Sequence, residues 1–175
     1  MLPRETPLPF VTRPFLEEPL GGWLGRIAGF YRMDIDELAT EFGLNLGLDQ
    51  RCRDWLILPP QPLSSLTRIG YLTHTPLATL QALEVDEPWK TSPNRYWFCR
   101  NCLFVNPLDV SAPRWIREWL NPDTETCPEH GEMEHLKAGD LSRCRNFTSL
   151  LKLVSADSQV WRSRLTKRSR AYGRG

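Results

Sequence analysis

The chain has 175 residues, a length that suits one domain with a small appendage. Hydrophobic residues make up 41% of it and charged residues 25%, which are ordinary proportions for a soluble globular protein. Because no apolar stretch approaches the roughly 20 residues that cross a bilayer, we expect no membrane segment.

Charge is placed unevenly along the chain. The overall net charge is +1, but residues 159–175 carry six basic side chains and no acidic one, which leaves −5 for the first 158 residues. An acidic body with a basic tail is common in proteins that contact nucleic acid or an acidic partner, although such a tail can also serve solubility alone. The candidate contact residues in the tail are Arg162, Arg164, Lys167, Arg168, Arg170 and Arg174.

Residues 1–19 contain five prolines and few helix signals. This composition predicts an extended arm that lies along a partner or along its own domain. Residues 1–10 contain no continuous apolar run, so we expect no signal peptide and a cytoplasmic location.

A helical period of three and four begins at Leu20 and continues to Tyr31. Glycines at 21, 22 and 25 weaken this helix but permit the close approach of another element. Asp34 and Glu37 have the spacing of a capping box, and Gly43 is placed to end the helix that follows. Two helices joined by a short turn at residues 32–33 resemble a helix-turn-helix.

Three more helices are expected before residue 90. The first covers residues 49–56, with Cys52 and Trp55 on or near its inner face. The second is entered through Pro62, and the third is capped by Thr75-Pro76. Residues 20–90 therefore predict a compact helical domain, with a charged linker from about residue 85 to 94.

Two pairs of metal-binding residues follow a strand-like aromatic run at residues 96–98. The pairs are Cys99 with Cys102 and Cys127 with His130, in the spacing C-x2-C-x24-C-x2-H. Tight turns of this kind aim both side chains at one ion, so together they predict a closed tetrahedral site with one structural Zn²⁺. We expect a small zinc-ribbon-like module with short strands over residues 91–140.

Other interpretations of these residues remain open. The cysteines could form a disulfide or a redox pair, but a redox C-x2-C opens a helix in a βαβ setting and a disulfide needs an oxidising compartment. Catalytic zinc leaves one position to water, whereas four ligands are present here. His135 could replace His130 as a ligand, and Cys144 is a further candidate.

Aromatic and basic residues lie between the two pairs and beyond them. Trp115, Ile116 and Trp119 predict a short helix or strand, and such aromatics form the core of small zinc modules. Exposed aromatics near Arg114 and Arg117 would also suit nucleic acid or a protein partner. Residues 141–175 predict a short helix that runs into the basic tail.

Two runs of sequence resemble a known family. The run from Pro19 to Ala28, PLGGWLGRIA, is similar to the start of the TniQ family of transposition proteins. The run from Cys127 to Gly131, CPEHG, preceded by the first cysteine pair, resembles that family's zinc motif. The order of a helix-turn-helix, a second helical pair and a zinc module is also alike, and the resemblance covers roughly residues 8–140.

The resemblance implies a mainly α fold, with an N-terminal helix-turn-helix bundle followed by the zinc-ribbon-like module. It also implies a non-enzymatic role beside a transposase and an AAA+ ATPase, through contact with target DNA or with an RNA-guided complex. Some short members carry a second zinc site that this sequence does not match, which favours an adaptor, possible as a homodimer. The alternative is a stand-alone zinc-containing helix-turn-helix regulator that binds DNA.

Overall fold

A computed structural model describes residues 5–46, 55–85, 89, 95–104 and 113–156 of the chain. Within them the fold is mostly helical, with a smaller C-terminal part of short antiparallel strands around a Cys/His cluster, as predicted. No helix among these residues is long and apolar enough to span a bilayer. The six basic residues of the tail and most of the predicted linker lie outside the described residues.

The first two helices form where the sequence predicts them. Helix α1 spans Leu20–Tyr31 and ends at Arg32, which takes the left-handed conformation at φ 58°. Helix α2 spans Ile35–Phe42 and begins with the expected capping box, in which the backbone N–H of Asp34 donates to Glu37 at 2.8 Å. Gly43, at φ 63°, ends α2.

The second helical pair also matches the prediction. Helix α3 spans Leu63–Thr73 and helix α4 spans Leu77–Ala82, with a proline preceding each. The two helices pack against each other, and Leu72 of α3 and Leu80 of α4 are fully buried. Leu63, the first residue of α3, is exposed although it is apolar.

The predicted helix over residues 49–56 is wrong in its last two residues. Trp55 and Leu56 lie in a turn, and residues 49–54, including Cys52, lie outside the described residues. Trp55 is nonetheless fully buried, as predicted, and its indole N–H donates to the carbonyl of Cys144 at 2.7 Å. The backbone of Trp55 passes so close to Gly21 of α1 that this contact, rather than local helix propensity, fixes the conformation of the turn.

The strands form two small antiparallel sheets. Strand β1, Arg95–Phe98, pairs with β4, Glu134–Lys137, and strand β2, Thr126–Cys127, pairs with β3, Gly131–Glu132. Helix α5, Arg100–Phe104, follows β1 directly, and a 3₁₀ helix, Arg117–Leu120, packs on β1. Trp115 and Trp119 are buried beneath the sheet, so these two aromatics belong to the core.

The C-terminal segment packs back onto the first helices. Helix α6 spans Ala138–Leu141, and residues 147–156 form a last helix, α7, as predicted. The backbone N–H of Ile35 donates to the carbonyl of Arg145, and the side-chain amide of Asn146 donates to the carbonyl of Met33. The buried apolar residues of the helices and of the strands form one continuous core.

The described part of the proline-rich arm lies along the helices of its own chain. The backbone N–H of Leu8 donates to the carbonyl of Leu72, and the indole of Trp23 donates to the carbonyl of Thr12. Farther along, Glu17 accepts a backbone hydrogen bond from Arg117. The arm thereby joins the helical part of the chain to the part that carries the strands.

Candidate metal centre

The first ligand pair sits where β1 passes into α5. Cys99 follows the last residue of β1 and is almost fully buried, and Cys102 lies in the first turns of α5. The sequence predicted a tight turn here, whereas the structure has a short helix. A spacing of three residues on a helix still keeps both sulfurs on one face, so the pair converges as predicted.

The second pair flanks the turn of the β2–β3 hairpin. Cys127 ends β2, residues 128–130 form the turn, and β3 begins at Gly131. Gly131 has φ 77°, a conformation that side chains rarely adopt, which explains the glycine after the histidine. The turn brings the ring of His130 back beside the sulfur of Cys127.

The four side chains meet at one point. The Nδ1 atom of His130 lies 3.6 Å from the sulfur of Cys99, 3.3 Å from that of Cys102 and 3.6 Å from that of Cys127. The sulfurs of Cys102 and Cys127 are 3.6 Å apart. All four atoms lie within 4.8 Å of one another, so the group could hold a metal ion.

These distances fit a tetrahedral ion. Zn–S bonds near 2.3 Å and Zn–N bonds of 2.0–2.1 Å require tetrahedral edges of about 3.8 Å between two sulfurs and about 3.6 Å between sulfur and nitrogen. Four of the six separations, the three between nitrogen and sulfur and the one between Cys102 and Cys127, are 3.3–3.6 Å and match those edges to within a few tenths of an ångström. Four protein ligands fill a tetrahedral shell, so the arrangement is that of a structural site.

The thiols influence one another's ionisation. Burial raises the pKa of Cys102 far above its usual range, and hydrogen bonds with Cys127 and Cys99 raise it further. Burial also raises the pKa of Cys127. There it is outweighed by hydrogen bonds from His130 and from the backbone N–H groups of residues 129 and 130, which bring the pKa to about 7. The tight turn thus aims two backbone N–H donors at the sulfur of Cys127, which favours its thiolate form.

The alternative ligands lie elsewhere. The ring of His135 packs against Trp97 on the outside of the β1–β4 sheet, with 5.1 Å between centroids. Cys144 is buried at the far end of α6, where its thiol donates to the carbonyl of Asp140. The four clustered residues are therefore the four that the spacing predicted, and their three cysteines are free thiols.

A salt bridge lies beside the cluster and stabilises it, and the sequence did not predict this pairing. Arg100, which follows Cys99, donates through Nε and Nη2 to the two carboxylate oxygens of Glu134, each at 2.6 Å. This fork joins α5 to β4 and so holds the first ligand pair against the sheet. Local sequence carries no signal for it, because the two residues are 34 positions apart.

The predicted contact residues Arg114 and Arg117 make contacts within the chain. Arg114 forms an ion pair with Glu17, and its guanidinium lies 4.0 Å from the ring centroid of Phe15. Arg117 donates to the carbonyls of Ala82 and Glu84. The six basic residues of the tail lie outside the described residues, so their role stays a prediction.

Comparison with known proteins identifies the family. No curated protein and no solved structure matches the chain. A family model, TniQ, matches residues 9–133, a span that begins in the arm, includes helices α1–α5 and ends just after the hairpin that carries Cys127 and His130. With its cluster of three cysteines and one histidine inside that span, the chain belongs to the TniQ family of transposition proteins.

Proposed function

We propose that this protein is an adaptor in DNA transposition that links recognition of the target site to an AAA+ ATPase, which in turn regulates the transposase. The observation that carries the proposal is the TniQ match over residues 9–133. It covers the helices and the metal centre together, so both parts belong to one family unit. In this role the protein acts in the cytoplasm without catalysing a reaction, either alone or as a homodimer.

The metal in this proposal is one structural Zn²⁺ held by Cys99, Cys102, Cys127 and His130. Zinc is supported by the donor set, because three thiolates and one imidazole suit a borderline-soft ion with tetrahedral preference. The sheets around the centre have only two strands each, and an isolated two-stranded sheet is marginally stable. The ion supplies the stability that such small sheets lack.

An adaptor fits the surface of the helices better than a stand-alone DNA reader does. A helix that reads the major groove presents basic or amide side chains to the bases. Helix α2 instead exposes Asp36, Glu37 and Thr40, and phosphates would repel its carboxylates. Helix α4 exposes Ala78 and Gln81 and carries no basic residue. These faces favour a protein partner over the major groove.

Contact with target DNA, or with an RNA-guided complex, is assigned in this proposal to the basic tail. The arginines at 114 and 117 contribute less, since their guanidinium groups already bind within the chain. The body of the protein then meets the ATPase, while the tail adds sequence-independent attraction to phosphates.

The test is reconstitution of the complex. Purified protein is mixed with the AAA+ ATPase, ATP and duplex DNA, and co-elution is followed by size-exclusion chromatography. We expect a three-component complex that a charge-reversed α2, Asp36→Lys with Glu41→Lys, weakens; the capping residue Glu37 is left in place so that the helix keeps its start. As a matched control, Glu129→Lys with Glu132→Lys reverses two exposed carboxylates on the metal-binding hairpin and leaves α2 unchanged.

Tight, sequence-specific binding to duplex DNA by the protein alone, with no complex formed with the ATPase, would contradict the adaptor and support the stand-alone regulator. The reversal at α2 also separates the two functions. If the protein is a DNA reader, the added positive charge should raise its affinity for duplex DNA. If it is an adaptor, the same change should lower its affinity for the ATPase.

A further inference from the structure

The outer face of the β1–β4 sheet carries cations and aromatic rings. Side chains alternate along each strand, and the inward Tyr96, Phe98 and Leu136 are buried in the core, while Glu134 at the start of β4 is exposed. The outward ones lie opposite each other in register, Arg95 with Lys137 and Trp97 with His135. We call these four residues the sheet face.

The two cations of the sheet face do not stabilise the fold. Arg95 and Lys137 are directly opposite each other, and like charges in that position destabilise a pair of strands. Neither makes an ion pair within the part of the chain that the structure describes. The acidic residue of β4, Glu134, is held by Arg100. The sheet face therefore presents positive charge that an anion from outside can neutralise.

A groove opens beside the cations. It has a volume of about 230 Å³ and is bounded on one side by β1 and on the other by the end of the 3₁₀ helix and the turn after it. Trp97 contributes to both the groove and the sheet face, and its ring is half-buried. Drug-sized ligands occupy pockets of roughly 300–1,000 Å³, so this groove suits a single planar group. Its lining residues are Arg95, Tyr96, Trp97, Trp119, Leu120, Asn121 and Pro122.

We propose that the sheet face and its groove bind an unpaired strand of nucleic acid, with a base against Trp97 and the neighbouring phosphates at Arg95 and Lys137. The proposal rests on the function proposed above, in which this protein works at a nucleic-acid target. Aromatic platforms beside cations are how proteins hold single strands without reading sequence. A duplex does not fit, because its bases are stacked on each other and cannot reach the indole.

The experiment measures binding of the full chain to labelled oligo(dT) and oligo(U) of about twelve nucleotides by fluorescence anisotropy, over a range of salt concentrations. Replacing both cations, Arg95→Ala with Lys137→Ala, should lower the slope of log affinity against log salt by about 1.4, since each phosphate contact in a single strand contributes about 0.7. Trp97→Ala should weaken binding about fivefold or more at unchanged slope, because stacking is not ionic.

Three controls accompany these variants. Trp97→Phe keeps a ring that can stack and should retain most of the affinity. Arg13→Ala with Lys152→Ala removes the same two charges from exposed positions off the sheet face and should bind like the wild type. Metal content and near-ultraviolet circular dichroism establish that each variant is folded.

Sheet-face variants that bind both oligonucleotides like the charge-matched control would overturn the inference. So would binding of an uncharged proline-rich peptide that Trp97→Ala abolishes, with strand binding that the same substitution leaves unchanged, since aromatic grooves also accept such peptides. Co-elution with the ATPase is measured on the same variants. Its absence in the wild type contradicts the proposed function, while unchanged strand binding with intact co-elution contradicts this inference alone.

Discussion

Glu18 and Arg26 form a buried ion pair at the junction of the arm and α1. One guanidinium nitrogen of Arg26 lies 2.7 Å and 2.9 Å from the two carboxylate oxygens, and Glu18 also accepts the backbone N–H of Phe15. Both side chains are almost completely buried, and the guanidinium of Arg26 stacks over the ring of Phe15. This pair fixes the direction in which the arm enters the helix.

The carboxyl of Glu18 should titrate near neutral pH. Its burial raises the pKa from 4.5 to about 7, against the opposing effects of Arg26, of the Phe15 N–H and of Arg114. The folded state then keeps a proton that the unfolded state has lost, so this group's contribution to stability is complete below pH 4.5 and declines as the pH rises through 7. We expect the stability of the wild type relative to Glu18→Gln to fall by up to about 3 kcal/mol between pH 5 and 8.

Urea unfolding of both proteins at each pH measures this difference, and the pH dependence of the metal centre cancels because both proteins contain it. A relative stability that rises with pH would mean that the attraction of Arg26 dominates over burial and that the pKa of Glu18 lies below its usual value.

At the residue scale, the sequence predicted which four side chains cluster, and it missed the ion pair of Glu18 with Arg26. The spacing of two residues within each pair is a local constraint, so the sequence alone could identify Cys99 and His130 as members of one site. The burial of Glu18 has no such signal, because glutamate is mostly exposed and its partner is chosen by the tertiary fold. Arg100 and Glu134 were missed for the same reason.

At the scale of elements, the packing of α1 depends on the close approach of Gly21 to the backbone of Trp55. A Cβ atom added at Gly21 would lie 1.7 Å from the carbonyl oxygen of Trp55 and 2.8 Å from its carbonyl carbon. Both are backbone atoms, which cannot move aside as a flexible side chain does. The glycine therefore permits the turn at Trp55 to pack directly on the helix.

Gly21→Ala should destabilise the protein even though alanine is the better helix former. The propensity gain is at most about 1 kcal/mol, whereas overpacking a tight contact typically costs about 1–3 kcal/mol. We therefore expect a net loss of stability and a change in the fluorescence of the buried tryptophans. Chemical denaturation measures the loss.

Gly139→Ala in α6 is the matched control, since nothing lies within 4 Å of a Cβ atom at that position. It should be neutral or slightly stabilising. Equal stability of the two variants would show that the approach of Trp55 to α1 is looser than the structure has it.

Helices were predictable where the local signals agreed. In α2 the apolar spacing, the Asp34–Glu37 capping box and Gly43 all point to one helix, and that helix forms with those ends. Helix propensity failed at Trp55 and Leu56 because the chain there must follow the surface of α1. The start of α5 was missed since two residues between cysteines are compatible with a turn and with a helix.

For the whole molecule, long-range pairing was beyond prediction. Strands β1 and β4 pair in register although the second ligand pair and its hairpin lie between them in sequence. The sequence also carried no signal that residues 144–148 return to the first two helices, because this packing depends on long-range contacts such as the hydrogen bond from the backbone N–H of Ile35 to the carbonyl of Arg145. The predicted division into four segments stays a prediction, and the core is continuous across them.

The proposed Zn²⁺ would join the end of β1, helix α5 and the β2–β3 hairpin through its four ligands. Elemental analysis of the protein, purified without added metal, measures this directly, with the metal-to-protein ratio determined before and after Cys102→Ser. We predict one zinc per chain in the wild type and its loss in the variant, together with unfolding of the strands. A folded wild type that contains no stoichiometric metal would contradict the account.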